Sequence, residues 1–267
     1  MKSIISDIRQ EVEVLNTLLD ELSNEQWNTK TTFKDWTPEI VISHLCYFDL
    51  MTIYSINDSD KFASEGYFLM NAYSTIDNSL GRAEAVKEKL NIKDHRDLKE
   101  LWLLTNDQMC SVFEKVDPKL RCQWFGPDMG AKMFMTARYM ETWSHGQEIY
   151  DLLKRKRLYT DSIKNIADIG VKTFDWTYIN RKLDVPNEKP YVLLTSPSGD
   201  QWQWNDENSH NKVIGDASDF CHAVTQNRNI GDTNLRIEGD IAKHWMSIAQ
   251  CFAGDPESPP DTGTRIV

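Results

Sequence analysis

The chain has 267 residues, 40% of them hydrophobic, which allows one large or two modest domains with real cores. Its 30 Lys and Arg against 41 Asp and Glu give a net charge of −11, which argues against a nucleic-acid surface, since phosphate binding needs clustered cations. The five cysteines form no C-x-x-C pair and point to reduced thiols in a reducing compartment.

Ile5, Ile8, Val12, Leu15, Leu19 and Leu22 recur at helical spacing and predict a first helix, with Asp7 and Glu11 on its polar side. That amphipathic start does not read as a secretory leader. No run approaches the roughly 18 apolar residues of a membrane span, so the expectation is a cytoplasmic protein. The polar stretch 23–34 reads as a loop. Thr37 then caps a second helix, with Pro38 at its first position and Glu39 in its first turn, running to about Ile56. Residues 57–91 read as a long crossover with one helix near 83–90. Leu98, Leu101, Trp102, Thr105, Met109, Val112 and Val116 line a third helix. Pro118 and Gly126-Pro127 break the chain before a fourth, from Gly130 to about Arg155, and another helix is expected over 162–180. Four amphipathic helices with a long connection between the second and third describe a bundle. The run 183–190 reads as a linker. Beyond it, 191–195 and 201–204 flank Pro197-Ser198-Gly199-Asp200 as a hairpin. A helix capped by Asp216, a strand at 234–238 and a helix at 241–252 follow. The fold class expected is thus α+β, with a helical domain at 1–184, a small α/β domain at 188–255 and a loose tail at 256–267.

Two helices carry ionisable residues where an apolar stripe belongs. On the fourth, Phe134, Ala137, Ile149 and Leu152 mark a core-facing line that Glu141 and His145 interrupt one turn apart. On the second, His44 sits on the face of Val41, Leu45, Phe48 and Thr52. A buried carboxylate needs compensation, and a divalent metal held by His44, Glu141 and His145 would compensate all three groups. Three protein ligands leave a position open, as in catalytic zinc sites. Spacing alone leaves two other readings standing: a solvent-facing i, i+4 pair and a hydrogen-bonded core histidine.

The stretch Trp36-Thr37-Pro38-Glu39-Ile40-Val41-Ile42-Ser43-His44-Leu45, followed by Glu141-Thr142-Trp143-Ser144-His145-Gly146-Gln147-Glu148, resembles the DinB-like metalloprotein superfamily. Within it, the match is to the branch that includes mycothiol-dependent maleylpyruvate isomerase. The run Trp124-Phe125-Gly126-Pro127-Asp128-Met129 leading into Thr136-Ala137-Arg138 resembles one metal-binding subgroup, and residues 191–252 resemble a small domain named after wyosine base formation. The resemblance implies a DinB-like four-helix bundle with a metal triad at His44, Glu141 and His145. Zinc is the expected ion, with nickel and ferrous iron as alternatives, because N/O ligands do not select one. It further implies an enzyme acting on a small molecule, anionic if an arginine clamps it. A low-molecular-weight thiol would serve as co-substrate for S-transfer or isomerisation. The alternatives are a hydrolase or lyase using metal-activated water, and a non-catalytic metal-binding protein.

Two arginines are candidates for that clamp. Arg138, one turn before Glu141, would either pair with that carboxylate or hold an anionic substrate. Arg228 is the nearest match to an arginine that the isomerase branch sends from its C-terminal domain to the metal cleft. Asp49 reads as a support for the site or as a charge at the bundle edge, and Phe48 and Trp143 as pocket walls or core. Cys46 is rotated about 200° from His44 around the helix and reads as a structural thiol. His95 and His210 read as solvated, His222 and His244 as outside the chemistry, and the run 154–157 as a solvated helix end.

Overall fold

The computed structural model describes residues 1–125 and 128–265; the expected break at Gly126-Pro127 lies outside them. The chain divides into two compact units, Met1–Leu153 and Lys154–Val267.

The first unit is the expected bundle. Its long helices are α1 (Lys2–Leu19), α2 (Pro38–Asn57), then, beyond the crossover, α5 (His95–Phe113) and α6 (Ala131–Leu152). Each apolar stripe finds a partner: α2 packs chiefly on α5, and α1 on α6. Trp102, Phe113, Phe134 and Trp143 are fully buried in this core. The crossover holds two helices where the sequence indicated one, α3 (Ser59–Thr75) and α4 (Ser79–Leu90), with Asp58 and Asn78 capping them through their side chains. Both pack on α2. Helix α2 therefore has neighbours on several sides and is apolar nearly all round. An 18-residue window within it reaches a mean hydropathy of 1.2, apolar enough for a membrane span by length and composition although His44 and Asp49 interrupt it. Most of that stretch is buried inside the unit, and packing accounts for it. Two short strands, β1 (Arg121–Cys122) and β2 (Met129–Gly130), pair antiparallel just before α6.

In the second unit the single helix expected over 162–180 is two, α7 (Lys164–Lys172) and α8 (Phe174–Asn180). The break falls at Thr173, whose hydroxyl donates to the carbonyls of Ile169 and Gly170 (2.8 and 3.1 Å). Helix α7 packs on α9 (Ala217–Val224) and α8 on α10 (Asp240–Ile248), so both belong with the sheet rather than the bundle. The unit boundary thus precedes the linker read from composition. The four-stranded sheet runs β4 (Gln201–Trp204), β3 (Tyr191–Thr195), β5 (Lys212–Asp216), β6 (Arg236–Glu238). The hairpin β3–β4 has the expected register, Thr195 opposite Gln201. Strand β5, absent from the sequence reading, pairs parallel with β3, and Asp216 ends it while preceding α9 without a side-chain cap. The tail is tied down rather than loose: Gln226 donates to the Glu257 carbonyl (2.9 Å) and Arg265 to the Gln226 carbonyl (3.0 Å). Arg157, in the basic run, is buried rather than solvated.

Candidate metal centre

The start of α2 is fixed by local chemistry. The Thr37 hydroxyl accepts from the Ile40 amide (3.3 Å), and Pro38 occupies the first turn, where its missing N–H goes unneeded. Just before it, Thr31 and Trp36 close a tight loop, Thr31 N–H to Trp36 O and Trp36 N–H to Phe33 O, both at 2.8 Å. Lys34 and Asp35 inside that loop take the left-handed conformation (φ 51° and 61°), at about 1 kcal/mol or more each for residues with a Cβ. The strained turn presents Phe33 and Trp36 to the residues that follow.

His44 from α2 meets Glu141 and His145 from α6. Glu141 Oε2 lies 3.4 Å from His44 Nε2 and 3.4 Å from His145 Nε2. The three ligand-type atoms all lie within 4.8 Å of one another. Their side chains are 18%, 22% and 11% exposed for His44, Glu141 and His145, so the group is sheltered but reachable. Aromatic rings wall it. Trp36 stacks on His145 (centroids 5.4 Å, planes 5° apart) and touches His44 at 5.2 Å. Phe33 meets His145 edge-on at 5.4 Å, and Phe48 packs on His44 at 4.7 Å. Trp143 is fully buried core, one of the two roles the sequence left open. From sequence, Trp36 entered only as the first residue of the family-like stretch and Phe33 not at all; the signal available was an aromatic pair flanking Lys34-Asp35 in an otherwise polar stretch.

Burial pushes His44 down to about 4, opposed by hydrogen bonding to Glu141, so its imidazole is neutral at pH 7. Burial acts on Glu141 in the opposite sense, but hydrogen bonds from His145 and His44 and their charges outweigh it and hold the carboxyl well below its usual range. His44 thus presents neutral nitrogen beside the ionised oxygen of Glu141, the protonation state of ligands. Spacing fits as well. Bonds of about 2.0–2.2 Å place adjacent ligand atoms of a tetrahedral zinc about 3.4 Å apart, whereas direct hydrogen bonds run about 2.7–3.2 Å. Both carboxylate–imidazole distances match the first figure. Nitrogen and oxygen donors suit zinc, nickel and ferrous iron alike.

Arg138 pairs neither with Glu141 nor with an open cleft. Its guanidinium is 3% exposed and holds Asp49, itself fully buried, through Nε (3.0 Å) and Nη2 (2.9 Å), with Nη2 also reaching the Leu45 carbonyl (3.4 Å). A position one turn before Glu141 points across to α2, where a carboxylate waits. Asp49 is therefore no bundle-edge charge. Cys46 is fully buried, and desolvation pushes its thiol up to about 12, as befits a structural residue. In the second unit, Arg228 follows α9, and its Nη1 donates to the Asn227 carbonyl (2.9 Å). His222 is buried beside it, accepting or donating at Nε2 with the Tyr159 hydroxyl (2.7 Å), and burial with the charges of Arg228, Arg157 and Arg265 holds it well below its usual range. His95 opens α5 stacked on Trp27 (4.9 Å).

A family model described as the mycothiol maleylpyruvate isomerase N-terminal domain matches residues 8–150. An uncharacterized protein of Mycobacterium tuberculosis, known from strains CDC 1551 and H37Rv, is 33% identical over 252 residues, 94% of this chain and 96% of its own length. The crystal structure of a mycothiol-dependent maleylpyruvate isomerase superposes with TM-score 0.55 at 11% identity, covering 88% of this chain and 92% of the enzyme. A histidine-to-alanine mutant of that enzyme gives 0.52 at 11%, covering 83% and 87%. At that identity the likeness is one of fold.

Proposed function

The chain belongs to the mycothiol maleylpyruvate isomerase N-terminal domain family, and from that premise we propose a metal-dependent enzyme that uses a low-molecular-weight thiol on a small electrophilic substrate. The observation that carries the reading is the convergence of His44, Glu141 and His145, with two edges of 3.4 Å and aromatic walls. A divalent ion held there, zinc by preference, supplies Lewis acidity that lowers the pKa of a thiol. The protein's own contribution is to orient two imidazoles and a carboxylate, to leave one side open, and to keep water sparse around them with Trp36, Phe33 and Phe48. The thiolate sulfur adds to an electrophilic carbon of a conjugated double bond. The bond that has become single rotates, and expulsion of the same sulfur restores the double bond in its other geometry. Where a leaving group replaces the rotation, the outcome is S-transfer. Mycothiol is the thiol the family suggests, and five buried free cysteines fit a reducing compartment. Arg228 remains the candidate for holding a substrate carboxylate.

The protein should carry about one transition-metal ion per chain, and His44→Ala, Glu141→Ala and His145→Ala should each lose most of it by elemental analysis. Cobalt-substituted protein titrated with mycothiol, bacillithiol, glutathione and cysteine should develop a sulfur-to-cobalt charge-transfer band with one of them. Arg228→Ala should weaken the binding of a carboxylate-bearing substrate while leaving that band. Full metal content in all three triad variants would overturn the site. Silence with every thiol from fully loaded protein would overturn the thiol reading in favour of metal-activated water.

A further inference from the structure

We infer that the buried Arg138–Asp49 pair is a positioning device that presets the spacing and register of the two ligand-bearing helices. The inference rests on the metal reading above. Helix α2 packs chiefly on α5, and α6 chiefly on α1, so the helices that carry His44 and the Glu141/His145 pair are not each other's main neighbours. Polar ties that join them directly include two that bear on the site. One is the triad, with His44 facing Glu141. The other lies one turn along: Asp49 follows His44 on α2, Arg138 precedes Glu141 on α6, and Nε and Nη2 of the arginine converge on one carboxylate oxygen at 3.0 and 2.9 Å. Rising numbers on α2 meet falling numbers on α6, as antiparallel helices require. With both ties made, neither helix can slide or roll against the other without breaking one.

The surroundings support a registering role. The second Asp49 oxygen accepts from Asn106 Nδ2 on α5 (2.9 Å), so the carboxylate is anchored to the helix on which α2 rests. Arg138 Nη2 also reaches the carbonyl of Leu45, the residue directly after His44. A buried ion pair is a weak source of stability, because desolvation cancels most of the attraction, and apolar residues of similar volume often serve as well. Directional hydrogen bonds fix a register in a way apolar contacts do not. At 3% exposure the guanidinium is unavailable to a substrate, so Arg138 acts through the ligands and not on the reacting atoms.

The test uses the full chain, cobalt as probe and three variants: Asp49→Asn, Arg138→Lys and the double apolar replacement Asp49→Leu with Arg138→Met. Two quantities are read, the cobalt dissociation constant by chelator competition and the thermal midpoint of metal-free protein. The single variants should bind cobalt about 10- to 100-fold more weakly, the range for residues that orient metal ligands. The double variant removes both buried charges, so its metal-free midpoint should return to or exceed that of the wild type while cobalt binding stays about tenfold or more weaker. A merely structural pair would give recovery of both together, and that result overturns the inference. So does a folded single variant that binds cobalt as tightly as the wild type. Wild-type protein that takes up no cobalt overturns the metal reading and this inference with it.

Discussion

Glu141→Gln separates a metal ligand from a structural hydrogen-bond acceptor, because the two roles predict opposite things about metal-free protein. Each imidazole nitrogen stands 3.4 Å from the Glu141 carboxylate, beyond the usual limit of about 3.2 Å, so each hydrogen bond is a weak one even though the two together hold the carboxyl below its usual range. His44 is pushed down to about 4 and is neutral at pH 7, which removes most of the Coulomb attraction on that side. Glutamine has the same shape, still accepts, and sheds the penalty of a side chain only 22% exposed. Those opposing effects should leave the metal-free variant at most about 1 kcal/mol below the wild type, whereas loss of a strong charged acceptor costs about 1.5–3 kcal/mol. With zinc at about a hundred times its dissociation constant the wild type gains about 2.7 kcal/mol. For a unit of this size that is a rise of about 5–10 °C in thermal midpoint. The variant should lose most of that rise. Circular dichroism melts in chelator and in excess zinc measure both numbers. A variant that melts far below the wild type in chelator, or keeps the full zinc-induced rise, refutes the reasoning.

Gly170→Ala would place a Cβ 2.8 Å from Val224 Cγ2 and 3.0 Å from Phe220 Cε1, so the α7–α9 contact must spread. The second unit should lose about 1–2 kcal/mol in denaturant unfolding, overpacking outweighing the better helix propensity of alanine. His222 is held below its unfolded value of about 6.5, so unfolded chains take up a proton that the fold refuses. Stability should be full above about pH 6.5 and fall by up to about 1.4 kcal/mol per unit as pH drops below it, and His222→Asn should flatten that slope in urea titrations at stepped pH. Removing residues 256–267 should destabilise the second unit by about 2 kcal/mol or more, since Gln226, Gln250 and Asp232 lose partners there; an unchanged urea midpoint would contradict the tie.

What could be read from the sequence follows how each element satisfies its chemistry. The triad was legible because His44 and Glu141 interrupt apolar stripes, and the i, i+4 rule then places Glu141 and His145 together without tertiary knowledge. Helix α3 was not legible. It buries Phe62, Leu69 and Ala72 but leaves Tyr67 and Met70 among the most exposed large apolar side chains, so its polarity shows no clean stripe. The break at Thr173 depends on one hydroxyl turning back on its own helix, a choice that periodicity does not report. Strand β5 offers only Val213 and Ile214 before Gly215, too short a run to stand apart from a loop. Arg138 and Asp49 were each left with two roles. Their pairing spans 89 positions, and no local rule links them.

The most apolar helix is the one whose charges are most informative. Helix α2 carries five ionisable residues inside its first twelve positions: Glu39, His44, Cys46, Tyr47 and Asp49. In a helix with neighbours on several sides, none of the carboxylates can turn to bulk water, and each must be answered from another element. Lys87 of α4 answers Glu39 at 2.6 Å, which pins the crossover. Arg138 of α6 and Asn106 of α5 answer Asp49. His44 meets Glu141 at a distance too long for a good hydrogen bond and right for a shared ion. Two of these pairings are ordinary hydrogen-bonded ion pairs. The third sets ligand-type atoms of two helices at the spacing a shared ion would require, and that contrast is what supports the metal reading of the site.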